Sequence, residues 1–183
     1  MTDVPLASSP DAFPNHVFDA FGTAPALLDE RIGGSVMVVA KRPEGGPLTL
    51  VTAGVSRLPV DGGPPVELAV EVADGQEGAA MVALRIVCDD VALNRRTPPL
   101  ETPWRNGEPF LSGTGIAAIM ATGSRWGTDF DDVRDPDGTV VGHVRTLRLL
   151  TDAEAQTASD RGWSGLVEAA GSIDALLDVT RPG

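Results

Sequence analysis

Two short, mostly apolar stretches near the start of the chain have the composition of β-strands. Residues 35–43 (SVMVVAKRP) and 48–56 (LTLVTAGVS) are rich in β-branched side chains, which favour the pleated backbone of a strand. The glycine and proline residues between them are of the types that form turns. The two stretches are therefore predicted to form a β-hairpin.

A third strand is predicted at residues 66–74 (VELAVEVAD). Two sets of side chains alternate along it, namely Leu68, Val70 and Val72 on one side and Glu67, Ala69 and Glu71 on the other. This alternation predicts a strand that packs one face on the core and exposes the other face to solvent.

Apolar residues at spacings of three and four predict helices at residues 14–21 and 76–96. The repeating positions of the second helix are Met81, Leu84, Cys88 and Val91. A third helix is predicted to begin at Thr151, because Thr151 and Glu154 have the spacing of a capping box, and to end at Gly171.

Two further strands are predicted at residues 116–124 and 140–150, with the turn residues Pro-Asp-Gly between them. Residues 97–115 show no regular pattern and are expected to form a long loop. Strands and helices that are partly segregated in this way indicate an α+β fold, with a mixed, mostly antiparallel β-sheet covered by helices. Residues 1–13 are expected to be a flexible tail, and residues 14–183 to form a single domain.

Composition narrows the class of partner. The chain of 183 residues carries 26 acidic and 14 basic side chains, which gives a formal net charge of −12. Such a charge repels phosphate groups, so nucleic acids and membranes are not expected as partners, whereas a basic protein is compatible with it. The single cysteine excludes an internal disulfide. Because the N-terminus lacks the pattern of a signal peptide, a cytoplasmic location is expected.

No set of residues in the sequence has the pattern of a catalytic site. Cys88 lies on the apolar side of its predicted helix, where a buried thiol is common. Ser56 follows Gly54-Val but lacks the second glycine of a nucleophile elbow. The glycine pattern at residues 113–118 precedes a predicted strand, whereas dinucleotide binding requires a helix there. Catalytic residues, a cofactor and a metal site are therefore not expected.

A run of acidic residues occupies the predicted turn, and its members are Asp129, Asp131, Asp132, Asp135 and Asp137. Val133 breaks the alternation that a calcium loop needs, and no glutamate closes the run. We interpret the run as a solvated turn, with an acidic contact surface for a basic partner as the alternative. Asp129, Asp131 and Asp132 are the aspartates predicted to make that contact.

Tryptophan is common both in cores and at the centres of protein interfaces. Trp163 lies in the last predicted helix and is expected to be in the core. Trp104 in the irregular loop and Trp126 near the end of a predicted strand are the candidate partner-binding tryptophans.

The sequence resembles the suppressor of fused domain family in an ordered set of short motifs. The first motif is LTLVTAGVSRLPV followed by PPVELAVEV, and its matching positions are Leu50, Val51, Thr52, Gly54, Ser56, Pro59, Glu67 and Leu68. An Asn-Gly-Glu-Pro loop at residues 106–109, the strand after it, the capping motif at Thr151 and the tail DALLDVTRPG follow in the family's order. The resemblance extends over residues 14–183.

The resemblance implies a non-enzymatic module that binds proteins. Animal members of the family sequester a transcription factor, and bacterial members are proposed to neutralise toxins of competing cells. It also implies that Thr52, Gly54, Ser56, Pro59 and Glu67 are scaffold residues of a strand and turn, and not the edge of a catalytic site. This signature does not locate the residues that bind the partner.

Two departures from the family limit what the resemblance transfers. Many bacterial relatives have Gly-His-Thr before the Asn-Gly loop, whereas this chain has Glu101-Thr-Pro-Trp104. The chain is also expected to lack the second lobe with which animal members clamp their peptide. The peptide-binding residues of those proteins are therefore not assigned here.

The leading hypothesis is a suppressor of fused-like protein that binds a protein partner without catalysis, and its sharpest form is immunity against a toxin such as a basic nuclease. The alternative is a small-ligand or metal-binding protein, or an enzyme, that uses the loop at 97–115 and the acidic loop at 129–137. That alternative requires a concave pocket with convergent polar groups. A third hypothesis is a regulatory module whose peptide ligand adds to an exposed sheet edge.

Overall fold

A mixed β-sheet runs through the part of the chain that the structure describes, which comprises residues 12–21, 26–32, 36–41 and 46–182 of a computed structural model. The elements in chain order are α1 (Ala12–Phe21), β1 (Ala26–Ile32), β2 (Val36–Lys41), β3 (Leu48–Ala53), a 3₁₀ turn (Val55–Arg57), β4 (Val66–Val72), α2 (Glu77–Asn94), β5 (Trp104–Arg105), β6 (Ile116–Thr122), α3 (Thr128–Asp131), β7 (Asp132–Arg134), β8 (Val140–Thr151), α4 (Asp152–Ala170) and a second 3₁₀ turn (Asp174–Leu176). The tail expected at residues 1–13 lies outside the described residues up to residue 11, as do residues 42–45 of the predicted hairpin turn.

The described strands form one sheet in the order β1-β2-β3-β4-β8-β6-β5, and β7 also pairs with β8. β4 and β8 run parallel, whereas the other strand pairs are antiparallel. The predicted fold class, a mixed and mostly antiparallel sheet with helices, is confirmed. The predicted hairpin is also confirmed, because β2 and β3 pair directly.

β8 holds the sheet together because it is 12 residues long and has partners on both edges. β4 pairs along one edge, from His143 to Leu147. The other edge is shared, since β7 pairs with the first part of β8 and β6 pairs with the last part. The short helix α3 fills the connection between β6 and β7.

Helices cover both faces of the sheet. On the face that we call the α2 face, α2 buries its side chains against the sheet, and Leu50, Leu68, Leu84, Cys88 and Leu147 belong to this core. The opposite face carries two smaller cores. One, built with α1 and α3, includes Phe13, Val51, Ala69 and Phe130, and the other, built with α4, includes Met120, Leu150 and Leu166.

The prediction that the third strand has one solvated face is wrong. All seven residues of β4 are buried, including Glu67 and Glu71, which are 1% and 5% exposed. The alternation itself is real, since Leu68 and Val70 pack against α2 while Ala69 belongs to the core of the opposite face. The strand lies between β3 and β8 in the middle of the sheet, so both of its faces are covered.

Four elements were not predicted from the sequence: β1, β5, α3 and β7. The predicted loop at 97–115 contains β5, and the predicted turn region contains α3 and β7. Three of the four are no longer than four residues, which is too short for a hydrophobic period to show. α1 begins two residues earlier than predicted, and both of these residues, Ala12 and Phe13, are buried.

The predicted helix start at Thr151 is confirmed in detail. The Thr151 hydroxyl accepts from the Glu154 amide, and the Glu154 carboxylate accepts from the Thr151 amide at 2.8 Å. α4 ends where predicted, because Gly171 adopts the left-handed conformation that caps a helix. A kink at Gly162, whose φ is 72°, divides α4 in two.

Candidate functional site

An apolar groove of about 530 Å³ opens on the α2 face of the sheet. α2 forms one wall, with Ile86 and Leu93, and residues 98–104 form the other. The floor consists of side chains of β6 and β8, including Ile119 and Leu147. Part of the loop at 97–115 therefore lines a concave surface, although the lining is mostly apolar and not a set of convergent polar groups.

Large apolar side chains are exposed at this groove. Leu93 is 82% exposed and Trp104 is 46% exposed. Of the five large apolar residues that are exposed among the described residues, four lie in α2 or in the segment 97–105, and they are Val82, Leu93, Leu100 and Trp104. Clustering of this kind is the mark of an interaction surface, since single exposed apolar residues are ordinary.

Trp104 owes its position to an edge strand and not to an irregular loop. β5 pairs with β6 so that Trp104 lies opposite Ile119. Paired residues of neighbouring strands share a face of the sheet, and Ile119 belongs to the α2-face core, so Trp104 lies on the α2 face. Its ring lies 6.0 Å from that of Phe110, which supports one side of the indole and leaves the other to the groove.

The groove has an acidic side. Its charged lining residues are Asp89 and Asp90, which lie on the exposed surface of α2. The Asp90 carboxylate accepts a hydrogen bond from the Asn94 amide at 2.6 Å. An apolar floor with two carboxylates at one wall is complementary to a segment that carries both apolar and basic side chains.

Trp126 and the acidic run lie on the other face of the sheet. Trp126 is half-buried against the core of α1 and α3, and its ring meets that of Phe130 edge-on at 5.0 Å. Trp104 and Trp126, both predicted to bind a partner, are therefore on opposite faces, and one compact interface cannot include both.

Two of the three predicted contact aspartates are engaged within the chain. Asp131 accepts from the Ser124 amide at 2.9 Å. Asp132 binds the Arg134 guanidinium at 3.0 Å and the His143 ring at 3.1 Å. Asp129 is exposed on the surface beside α1. Their role in partner binding stays a prediction.

The predicted scaffold residues of the strand and turn at 52–56, which we call the signature, surround the buried carboxylate of Glu67. Thr52 and Ser56 donate their hydroxyl hydrogens to Glu67 at 2.5 and 2.6 Å. The backbone amides of Gly54, Val55 and Ser56 donate to the same carboxylate at 2.8 to 3.2 Å. Gly54 has a φ of 136°, a conformation that favours glycine and turns the chain so that successive amides point inward.

Burial raises the pKa of Glu67, and the hydrogen bonds from Ser56, Thr52 and Gly54 oppose that rise without cancelling it. Four of the five predicted scaffold residues thus meet in one structural network, and the fifth, Pro59, lies exposed beyond the turn. The Glu67 carboxylate is buried and its partners belong to the strand and turn at 52–56, which suits a scaffold.

A second buried network was not predicted from the sequence. Glu71 of β4 binds the Arg148 guanidinium of β8 and the Arg125 guanidinium, the latter at 2.8 Å. Arg148 also donates to the Thr122 hydroxyl at 3.0 Å and lies over the Trp163 ring at 5.0 Å. Burial lowers the pKa of Arg148, and the negative charge of Glu71 opposes that effect. Charged residues at Glu71 and Arg148 within otherwise apolar strands were the available signal.

Cys88 lies where the sequence placed it, fully buried in the α2-face core. Burial, together with the charges of Glu67 and Asp89, raises the pKa of its thiol to about 12. A thiol of this kind is a poor nucleophile at neutral pH.

The described residues bring together no group of three or more His, Cys, Asp or Glu side chains in an arrangement that could hold a metal ion. None of the helices in this part of the chain combines the length and apolarity needed to cross a membrane.

Comparison with known proteins identifies the fold. No protein-family model matches the sequence, and neither does any curated protein. Among solved structures, a chain of the Sufu–Fu complex matches with a TM-score of 0.67 and 11% identity, over 97% of this chain and 92% of the other. The chain has the suppressor of fused fold. The resemblance seen in the sequence motifs is thereby confirmed at the level of fold.

Two further structures with the suppressor of fused fold are similar. A putative suppressor of fused homologue from Neisseria gonorrhoeae has a TM-score of 0.63 and 15% identity, with 95% of each chain covered. Drosophila Suppressor of Fused has a TM-score of 0.65 and 12% identity over 96% of this chain. This chain spans 51% of the Drosophila protein's chain.

Within the suppressor of fused fold, the groove residues of α2 are the ones that the sequence analysis missed. At about 100° per residue, the groove residues Ile86 and Leu93 fall on one narrow stripe of the helix, away from its fully buried residues. Ile86 is partly buried there against the α2-face core. The signal was present, because α2 is apolar on two sides and only one of them can face the sheet.

Proposed function

We propose that this chain is a non-enzymatic protein-interaction module that holds a protein partner at the apolar groove of the α2 face. The observation that carries the proposal is the exposure of Leu93 and Trp104 together at a groove of about 530 Å³. Tryptophan is one of the residues that supply most of the binding energy of typical protein interfaces, and an aliphatic side chain beside it adds apolar area that a partner can bury.

The fold supports a role in protein binding. One similar chain is from the Sufu–Fu complex, so a domain of this fold takes part in a complex with another protein. The net charge of −12 favours a basic partner, because opposite charge accelerates encounter. The sharpest form of the proposal is immunity, in which the partner is a basic toxin domain that the chain neutralises.

The test is affinity capture from the native cell with the chain as bait, at low and at high salt. A single stoichiometric basic protein, retained less as salt rises, is the expected result. Co-expression then separates the two roles: a partner that stops growth alone and is harmless with the chain supports immunity, whereas a harmless partner supports regulation. Retention that does not change with salt contradicts the charge-driven form.

A second candidate function is storage or sensing of a small apolar ligand. It is favoured by the volume of the groove and by its mostly apolar lining, which includes Val87, Pro98 and Ile119. Native mass spectrometry of freshly purified protein tests it, since a bound molecule adds a discrete mass that organic solvent removes.

A further inference from the structure

The groove has the shape and charge to select one kind of segment in a partner. Ile86 and Leu93 are seven residues apart on α2, which is about 10 Å along the helix axis. That length matches two large apolar side chains of one helix that are two turns apart, at positions i and i+7. The groove is therefore long enough for a pair of anchors on one helical segment.

The carboxylates of the groove favour certain residues of the partner beside those two apolar side chains. Asp89 and Asp90 lie between Ile86 and Leu93 in sequence and line the same groove. The charged residues of the lining are acidic, so an acidic neighbour of the anchors is repelled and a lysine or arginine is attracted.

From these features we infer that the groove binds an amphipathic helical segment of a partner protein, with two large apolar side chains two turns apart and lysine or arginine beside them. Trp104 and Leu93 contact the apolar anchors, and Asp89 and Asp90 contact the basic side chains. The inference rests on the proposed function and adds the docking surface and the chemistry of the recognised segment.

The probe for the test is a short helical model peptide made of leucine and lysine, with fluorescein at its end, and fluorescence anisotropy reports binding to the full chain. We expect the peptide to bind, and a matched peptide of leucine and glutamate not to bind. Trp104→Ala and Leu93→Ala should each weaken binding by about 10-fold or more, because they remove the anchors' contacts. Circular dichroism checks that both variants keep their fold.

A matched pair of charge variants separates the groove from the overall negative charge. Asp89→Asn with Asp90→Asn removes two charges at the groove, and Asp19→Asn with Asp160→Asn removes two exposed charges elsewhere. We expect the first pair to weaken binding several-fold at low salt and the second pair to leave it unchanged. Equal weakening by both pairs, no binding of the leucine–lysine peptide, or binding that Trp104→Ala leaves intact would each overturn the inference.

The same variants distinguish failure of this inference from failure of the proposed function. If the native partner is captured equally by the wild type, Trp104→Ala and the Asp89/Asp90 variant, the docking surface is wrong and the interaction module stands. If no variant and no wild-type chain captures a partner, the proposed function itself fails. A small molecule held in the groove that must be removed before the peptide binds also counts against the inference.

Discussion

The two faces of the sheet each carry a kind of side chain that is unfavourable where it lies. On the face opposite α2, charged side chains are buried and paired, as Glu71 is with Arg148 and Arg125. On the α2 face, apolar side chains such as Leu93 are left in solvent beside a groove. Buried charge and exposed apolar surface are both unfavourable unless something compensates for them. On the first face the chain supplies the compensation itself, and on the second we propose that a partner supplies it.

The difference indicates that the residues that stabilise the fold and the residues proposed to bind a partner are different residues of this chain. The signature around Glu67 and the Glu71 network are held by hydrogen bonds within the chain, so changes there are expected to lower the free energy of unfolding. Changes at the groove rim are expected to alter binding and to leave the free energy of unfolding nearly unchanged.

The largest expected effect is that of Arg148→Ala. The change leaves the Glu71 carboxylate, whose side chain is fully buried, without one of its two cations, and removes a donor from Thr122. Breaking a buried ion pair by removing one partner costs about 3–5 kcal/mol. Urea denaturation followed by circular dichroism measures this loss.

Arg134→Ala is the matched control for the buried pair. Arg134 pairs with Asp132 at 3.0 Å, but half of its side chain is exposed. An exposed ion pair contributes only about 0–1 kcal/mol. If the two arginine variants lose equal stability, the face opposite α2 does not depend on the buried network of Glu71, and the comparison of the two faces is wrong.

Glu67→Ala is expected to have the next largest effect. It leaves the buried Val55 amide and the partly buried Gly54 and Ser56 amides without their acceptor. Leaving buried donors unsatisfied costs about 1–3 kcal/mol, so we expect a loss of about 2 kcal/mol in urea denaturation. Asp137→Ala, at an exposed position in the acidic loop, should change stability little, and an equal loss there would contradict a structural role for the signature.

The pH dependence of stability should differ in sign between two carboxylates. The pKa of Glu67 is raised in the folded chain, so its contribution is complete below its ordinary value of 4.5 and is lost as pH rises through the folded pKa. For Glu154, burial alone would raise the pKa, but hydrogen bonds from Arg181 and Thr151 outweigh it and lower the pKa. The contribution of Glu154 is therefore complete above 4.5 and is lost as pH falls through the folded pKa.

Urea denaturation across this pH range measures both signs. The stability advantage of the wild type over Glu67→Ala should shrink as pH rises from 4.5, and its advantage over Glu154→Ala should shrink as pH falls below 4.5. The effect is smaller than that of Glu67→Ala itself, since titration changes only the part of the contribution that depends on protonation. Parallel pH profiles for the two variants would show that the hydrogen bonds dominate burial at Glu67 as well.

The sequence predicted those elements whose signals lie within a few neighbouring residues. The capping box at Thr151 is such a case, because two residues three positions apart determine where the helix begins. The apolar side of α2 was found through its period in the same way. The short elements β5 and α3 were not found, since they exist only through pairing and packing with distant residues.

The candidate site shows the same limit. Trp104 was singled out because tryptophan in a loop is a typical interface residue, and it does line the groove. Leu93 and Ile86 were missed because the period that identifies the sheet-facing side of α2 does not show that apolar residues beside it line a groove. Glu71 was assigned to a solvated face because the alternation of a strand cannot show that buried arginines cover that face.

The smallest expected effect is on the stability of Leu93→Ala, and it sharpens the comparison most. Leu93 and Leu84 lie on the same helix, but Leu93 is 82% exposed and Leu84 is fully buried. A surface substitution of this kind changes the free energy of unfolding by about 0.5 kcal/mol or less, whereas Leu84→Ala should cost about 2–5 kcal/mol. Thermal and urea denaturation measure the loss of stability in Leu93→Ala and in Leu84→Ala, which make the same chemical change on two sides of α2. If Leu93→Ala destabilises the chain as much as Leu84→Ala does, the groove is already filled by the chain's own structure, and no exposed surface is left there for a partner to cover.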